Sequence, residues 1–467
     1  MAVPEVKSGV SGVAKLLADK KISSTELTEH YLERIGRLDG ELHSFIHVMA
    51  ESALSAAKLA DAERSAGGPV GPLHGVPFAV KDVYDAAGVV TTGGSAAFKD
   101  KMASRDSAAI ARLRGAGAIL LGKLGTHELT HGGVDFELPW SPARNPWNIN
   151  YDPGGSSSGS GAAVAADLCA FALGTDTGGS IRKPAGMCGI AGLKPTFGRV
   201  SRFGVMLNAA SMDHCGPMAH TAADCAMVLQ AIAGHDPLDA ASSAVPVPDY
   251  GAAIGKDIRE MRIGVVSHFW TEDLPAGPDM RDGMQAVVET LKQLGARISD
   301  VRLKPVAEFN EAKLNIQRPE LFFAYGRDIR SRPQQFGPNL RHRMENYEQI
   351  TAVDYLAARK RQSELTADML HAMADFDVLV TAGPGPASKI DDVAARTNLN
   401  VADLTLPFSL TGFPVMATCI GFTPGELPFS MQIVGKPFDE SAVLRVADAY
   451  ERATAWHLRR PKIQEGA

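Results

Sequence analysis

Residues 152–186 read DPGGSSSGSGAAVAADLCAFALGTDTGGSIRKPAG. Two Gly/Ser loops flank an Ala-rich segment with helical character and a short apolar run with strand character. Glycines let a backbone come close to a ligand and aim several N–H groups at one point. A loop, helix, strand and second loop in this order point to an α/β protein with its chemistry on the loops.

Four chemistries compete for the stretch, the first being phosphate binding in either of two motifs. A phosphate-binding P-loop needs Lys after its last Gly, and neither loop contains one. A dinucleotide fingerprint needs a third Gly after Gly159 and Gly161, but Val164 holds that place. Gly155-Ser156-Ser157-Ser158-Gly159 fits a nucleophile elbow, although Asn148–Pro153 does not read as the strand that should precede it. Ser180-Ile181-Arg182-Lys183 fits S-x-x-K. Pro184 disfavours the helical turn this would need, and the companion motifs are missing. The fourth reading uses both loops: Ser180 as nucleophile, with the N–H groups of Thr177 to Ser180 as an oxyanion hole. Such a serine needs a base. Lys81 is a candidate at the end of the buried apolar run Val76–Val80, because burial lowers a lysine pKa. Position alone favours a plainer role for Lys81, exposed or paired with Asp82.

On either side of this region, the pattern is α/β. Ser23-Ser24-Thr25-Glu26 starts a helix with a capping box, and Glu51–Arg64 is Ala-rich and helical. Strand and helix patterns then alternate to about Gly234. Asp236–Tyr250 reads as a surface connection and 260–375 as mostly helical. A final α/β portion contains strands at Val378–Thr381, Val415–Ile420 and Phe429–Val434, then a helix at Ala442–Ala455. Met187, Met206 and Met218 read as core filling.

Composition narrows the function. The chain has 45% hydrophobic and 21% charged residues, net charge -6 and pI about 6.1. No basic patch stands out, so nucleic acid is not an expected partner. The N-terminus lacks an apolar leader, and Asp167 breaks the most apolar run, so neither export nor membrane insertion is expected. Five scattered cysteines without a C-x-x-C pair read as reduced, buried thiols in a cytoplasmic protein. His127-Glu128-Leu129-Thr130-His131 spells H-E-x-x-H, but Gly125 and Gly132-Gly133 bracket it too tightly for a stable helix, and no suitable third ligand follows. It reads as a polar loop, and no metal or cofactor is expected.

One family gathers these motifs. Gly75-Val76-Pro77-Phe78-Ala79-Val80-Lys81-Asp82, Gly154-Gly155-Ser156-Ser157 and Gly174-Thr175-Asp176-Thr177-Gly178-Gly179-Ser180-Ile181-Arg182 together resemble the amidase signature family. The intervals from 81 to 156 and from 156 to 180 fit as well. The likeness continues through Gly192–Thr196 and Ser211–Pro217, and resumes at Leu410–Pro414 and Gln432–Gly435.

The resemblance implies an α/β/α sandwich with a large mixed central sheet. The expected organisation is one domain over 1–467, with a signature core at 70–234 and a variable helical cover over the pocket at 236–375. It also implies a Ser–cis-Ser–Lys triad: Ser180 as nucleophile, Ser156 as bridging serine after a cis peptide bond, and Lys81 as base. Thr177, Gly178, Gly179 and Ser180 would form the oxyanion hole. Thr130, His131 and Ser156 would touch substrate, and Asp176 and Arg182 would brace the nucleophile loop. The leading functional expectation is a stand-alone amidohydrolase for carboxylic amides, with esters and carbamates as further candidates. It would act on a small molecule, without nucleic acid, with a homodimer as the candidate assembly. The alternative is the glutamine-hydrolysing subunit of a tRNA-dependent amidotransferase. Gly198–Gly204 and Gly234–Asp239 resemble that branch, whereas Thr381–Pro386 resembles stand-alone amidases.

Overall fold

The structure, a computed structural model, describes residues 9–68, 70–392 and 403–463. The first eight residues, on which the leader expectation rests, lie outside the described residues. Eleven strands form one sheet: β1 (Phe45–Val48), β2 (Pro77–Lys81), β3 (Ile119–Leu124), β4 (Phe171–Asp176), β5 (Ala191–Lys194), β6 (His214–Ala219), β7 (Arg262–Val265), β8 (Arg297–Asp300), β9 (Val378–Ala382), β10 (Val415–Phe422) and β11 (Pro428–Gly435). Their order across the sheet is β1-β3-β2-β4-β6-β5-β10-β11-β9-β7-β8. The pairings β3/β2/β4 and β9/β7/β8 are parallel and the others antiparallel, so the sheet is mixed. With helices packed on it, the fold is an α/β/α sandwich.

The central strands explain the apolar runs in the sequence. β2 and β4 read PFAVK and FALGTD and are buried at every position. Strands covered on both faces carry continuous apolar runs rather than alternation. The two lie side by side in parallel, with Val80 opposite Leu173. Their C-terminal ends, Lys81 and Asp176, therefore reach the same rim of the sheet. In open α/β sheets that rim is where ligands bind. The helix Ser158–Ala165 packs on β4 and against the helix Arg182–Cys188. Both start from the Gly/Ser loops at this rim.

The expected capping box is present: the Ser23 side chain accepts from the Glu26 N–H, and Glu26 accepts from the Ser23 N–H. The region 236–375 differs from expectation. Residues 262–300 are not cover but part of the sheet, with β7 and β8 joined by the helix Pro278–Gln293. The reason is the edge position of β8. Its sequence, RISD, is mostly exposed, so it carries no apolar run to mark it as a strand. The cover over the pocket comes from the helices Val306–Ser331 and Pro338–Met344 and from Tyr347, and the helix Ala352–Ala372 packs on Val306–Ser331. A small apolar cluster, including Leu321, Phe336 and Leu340, joins this cover to Leu129 of the core. Among the described residues no helix is long and apolar enough to cross a membrane. All five cysteines are buried and free.

Candidate active site

A cleft of about 350 Å³ opens at the rim where β2 and β4 end. Ser156, Thr177, Gly178 and Ser180 line its floor, and Lys313, Gln317 and Tyr347 of the cover line its roof. Lys81 lies beneath the floor, fully buried. Its Nζ is 2.7 Å from Ser156 Oγ and 2.9 Å from Thr175 Oγ1.

The plainer reading of Lys81 as a partner of Asp82 does not hold. Asp82 pairs with Lys123, Nζ to Oδ1 at 2.7 Å, and also accepts from the Thr92 N–H and hydroxyl. Asp82 lies one residue past the end of β2, where the chain turns, so Lys81 and Asp82 part company. Lys81 is left with hydroxyl partners. Burial lowers its pKa from 10.5 to about 7, only partly opposed by the charges of Asp213 and Asp176. A substantial neutral fraction is therefore present near pH 7, and a neutral amine has a lone pair able to take a proton from a hydroxyl.

The Gly155–Ser156 peptide bond is cis. Gly155 is needed there for another reason: a Cβ would lie 2.0 Å from the His127 ring. The Ser156 carbonyl accepts from the His127 N–H at 3.1 Å, and the Ser157 N–H donates to the Ser180 carbonyl at 3.3 Å. The two Gly/Ser loops are thus tied directly to each other.

The loop that carries Ser180 is held from below by a buried charge network. Asp176 accepts from the Gly179 and Ile181 N–H groups at 2.8 and 3.2 Å and from Arg182 Nε and Nη2 at 3.0 Å each. Arg182 also donates to Gln432 Oε1, Ser409 Oγ and the Thr405 carbonyl. The Arg182 guanidinium outweighs the desolvation that would otherwise raise the Asp176 carboxyl, and holds it well below its usual range. The bracing expected of this pair is what the geometry supplies. Because Gly179 gives its N–H to Asp176, that group is not free for a ligand. The N–H groups of Thr177, Gly178 and Ser180 donate to no protein acceptor among the described residues.

The H-E-x-x-H stretch forms one short 3-10 turn, Glu128–Thr130, with Leu129 and Thr130 in the left-handed region (φ 45° and 59°). This is not the helix that would put both histidines on one face. His127 is lowered to about 3 by burial, and burial also lowers His131 well below its ordinary value, so both are neutral. Thr130 and His131 do line the cleft. His131 Nε2 lies 2.6 Å from the Tyr347 hydroxyl of the cover. Glu128 clamps core to cover: it accepts from Ser95 Oγ at 2.6 Å and from the Gly337 N–H at 2.9 Å. Burial raises its pKa to about 7. Met218 is core, as expected, but Met187 lines the cleft because the short helix Arg182–Cys188 turns it toward the rim.

Sequence reasoning gave no role in the site to Lys313 and Arg343 of the roof, nor to Lys183 and Asp403 beside the floor, and all four line the cleft. Lys313 and Gln317 stand four residues apart on one helix face, which is the one local signal they leave.

Comparison with known proteins adds family context. A family model described as Amidase matches residues 26–444. The chain is 40% identical to the A subunit of glutamyl-tRNA(Gln) amidotransferase from Roseiflexus castenholzii, covering 98% of both chains. Native peptide amidase from Stenotrophomonas maltophilia superposes with a TM-score of 0.86 at 30% identity, covering 99% of this chain and 100% of that one. A chain from a vestigial protein complex tied to the origins of an s-triazine catabolic enzyme superposes with a TM-score of 0.90 at 32% identity, covering 97% and 100%. These likenesses correct the partner expectation. A small-molecule substrate alone, without nucleic acid and at most a second copy, does not fit a chain whose relatives are subunits of a tRNA-linked amidotransferase. Composition gave no sign of such relatives, because net charge reports a chain's own surface and not the assembly it belongs to.

Proposed function

The chain belongs to the amidase family and is an enzyme of amide C–N bonds, and on that premise we propose that it releases ammonia from a carboxamide as one component of an amidotransferase-type assembly. The observation that carries the chemistry is the buried Lys81, 2.7 Å from Ser156 Oγ, with its pKa lowered to about 7. In the proposed mechanism neutral Lys81 accepts the Ser156 hydroxyl proton, and Ser156 accepts that of Ser180. Ser180 Oγ attacks the amide carbon. The oxyanion is held by the free N–H groups of Thr177, Gly178 and Ser180. Ser156 then protonates the departing nitrogen, the C–N bond breaks, and an acyl ester remains on Ser180. Water, deprotonated through the same relay, cleaves that ester and restores the hydroxyl.

The similarity to the tRNA-linked amidotransferase relatives supports glutamine as the amide donor, with a partner chain using the ammonia on charged tRNA. Five free, buried thiols support a reducing, cytoplasmic setting. The likeness to peptide amidase favours a second reading, an amidase that works without partner chains.

Ammonia release by the purified chain tests the proposal, with glutamine, simple aliphatic amides and peptide amides as substrates. Release from glutamine that rises on adding partner chains is the expected result. Turnover of peptide or aliphatic amides by the chain alone, with glutamine inert, would replace the assembly reading with the second one. Release that survives Ser180→Ala would overturn the mechanism.

A further inference from the structure

The three cations of the cleft differ in what they face. Lys183 Nζ lies 2.5 Å from Asp403 Oδ2. Asp403 Oδ1 accepts from the Thr405 N–H and hydroxyl at 2.8 and 2.7 Å. Both oxygens of that carboxylate are therefore engaged within the protein. Arg343 Nη1 donates to the His131 carbonyl at 2.8 Å.

Lys313 stands apart. It is 7% exposed, lines the cleft, and forms no ion pair among the described residues. Its Nζ donates to Gln317 Oε1. Gln317 is fixed in turn, because its side-chain nitrogen donates to Asn208 Oδ1 at 2.6 Å and Asn208 donates to Thr130 Oγ1 at 2.9 Å. A Cβ placed on Gly178 would lie 3.1 Å from Lys313 Nζ. The ammonium thus hangs directly over the loop that carries Ser180. Placing a cation here without a carboxylate partner is unfavourable. Burial accordingly lowers Lys313 to about 7, and an arriving anion would supply the partner the protein withholds.

We propose that Lys313 holds a carboxylate of the amide substrate, so that the cleft selects ω-amides of carboxylic acids. This deepens the proposed function and rests on it. Glutamine belongs to this class, and so does glutaramate, its counterpart without the amino group. Because Asp403 is already held by Lys183 and Thr405, the α-amino group of glutamine adds little. Charge-assisted hydrogen bonds are the stronger kind, and a carboxylate on Lys313 would gain one that a neutral amide cannot.

The test is binding to the full-length Ser180→Ala chain by calorimetry, with glutaramate, glutamine and pentanamide as ligands. Glutaramate is expected to bind at least about tenfold more tightly than pentanamide, and no more weakly than glutamine. Lys313→Gln in the same background should erase the preference over pentanamide, and Lys313→Arg, which keeps the charge, should retain most of it. A thermal melt confirms that each variant is folded. Equal affinity for glutaramate and pentanamide, failure of glutaramate to bind, or a preference that survives Lys313→Gln would overturn the proposal. Binding is read without turnover, so an inactive wild-type chain would count against the proposed function, and a lost affinity ratio against Lys313.

Discussion

The floor and the roof of the cleft are built in opposite ways. The floor comes from strand ends and tight loops, with Lys81, Asp176 and Arg182 wholly buried and hydrogen-bonded on several sides. The roof comes from helices that are half-exposed. Its outer surface leaves Phe323 91% and Val353 75% accessible, and few of its side chains reach the cleft. Proton movement needs groups held rigidly in low dielectric, which strand ends provide. Choice among substrates needs only a few side chains at the right height, which a helix can change without disturbing the sheet. The floor should therefore govern the rate of bond cleavage, and the roof the choice of substrate.

This contrast fails first if the floor tolerates substitution. On the proposed mechanism Lys81→Met is expected to lower kcat at least about 1,000-fold, as loss of a base or nucleophile does in comparable triads. In the unaltered enzyme kcat, read at saturating substrate so that a bound carboxylate keeps Lys313 charged, should fall about tenfold per pH unit below about 7, because protonation removes the neutral amine, and level off above that. A flat profile from pH 5 to 9 would remove Lys81 from its role. Next in size is Arg182→Met. It leaves the Asp176 charge buried without its main partner, which costs about 3–5 kcal/mol. Denaturant titration reads this loss, and activity should fall with it because Gly179 and Ile181 lose their anchor.

Smaller effects probe the boundary between floor and roof. Glu128 joins the two regions, and its folded pKa of about 7 lies above the ordinary carboxylate value of 4.5. The folded state holds this proton more tightly than the unfolded one, so the stability it contributes is fully present below about 4.5 and is lost as pH rises through 7. Glu128→Gln cannot ionise. Its stability relative to wild type should therefore increase from pH 5 to pH 8, as followed by chemical denaturation at each pH. The smallest expected effect lies in the roof alone. Thr351 caps the helix Ala352–Ala372, with its side chain accepting from the Asp354 N–H. Thr351→Ala should cost about 1 kcal/mol, and kcat should not change. A drop in kcat would mean that the roof takes part in the chemistry.

Much of the floor could be read from sequence because its elements are short and continuous. The apolar run of β2 ends on Lys81, and the glycines around Ser156 and Ser180 mark loops whose backbone must turn sharply. The strand edges were harder. β8, mostly exposed at the sheet edge, has no pattern to distinguish it from the helices beside it. The loop 177–180 could be read as a set of four N–H groups, but not the use of the Gly179 N–H by Asp176, which depends on where Arg182 pulls that carboxylate.

Local patterns of residues were enough for the α/β class, the family likeness and the positions of Lys81, Ser156 and Ser180. They could not show that Asp82 faces Lys123 and that Lys81 has no carboxylate partner among the described residues. Nor could they bring Lys313 over Gly178 or close Lys183 onto Asp403, which the folded arrangement alone does. The difference arises because a pKa or a charge balance sums over everything that surrounds a group. Those surroundings come from segments hundreds of residues apart, whose contacts leave no periodic trace in the chain.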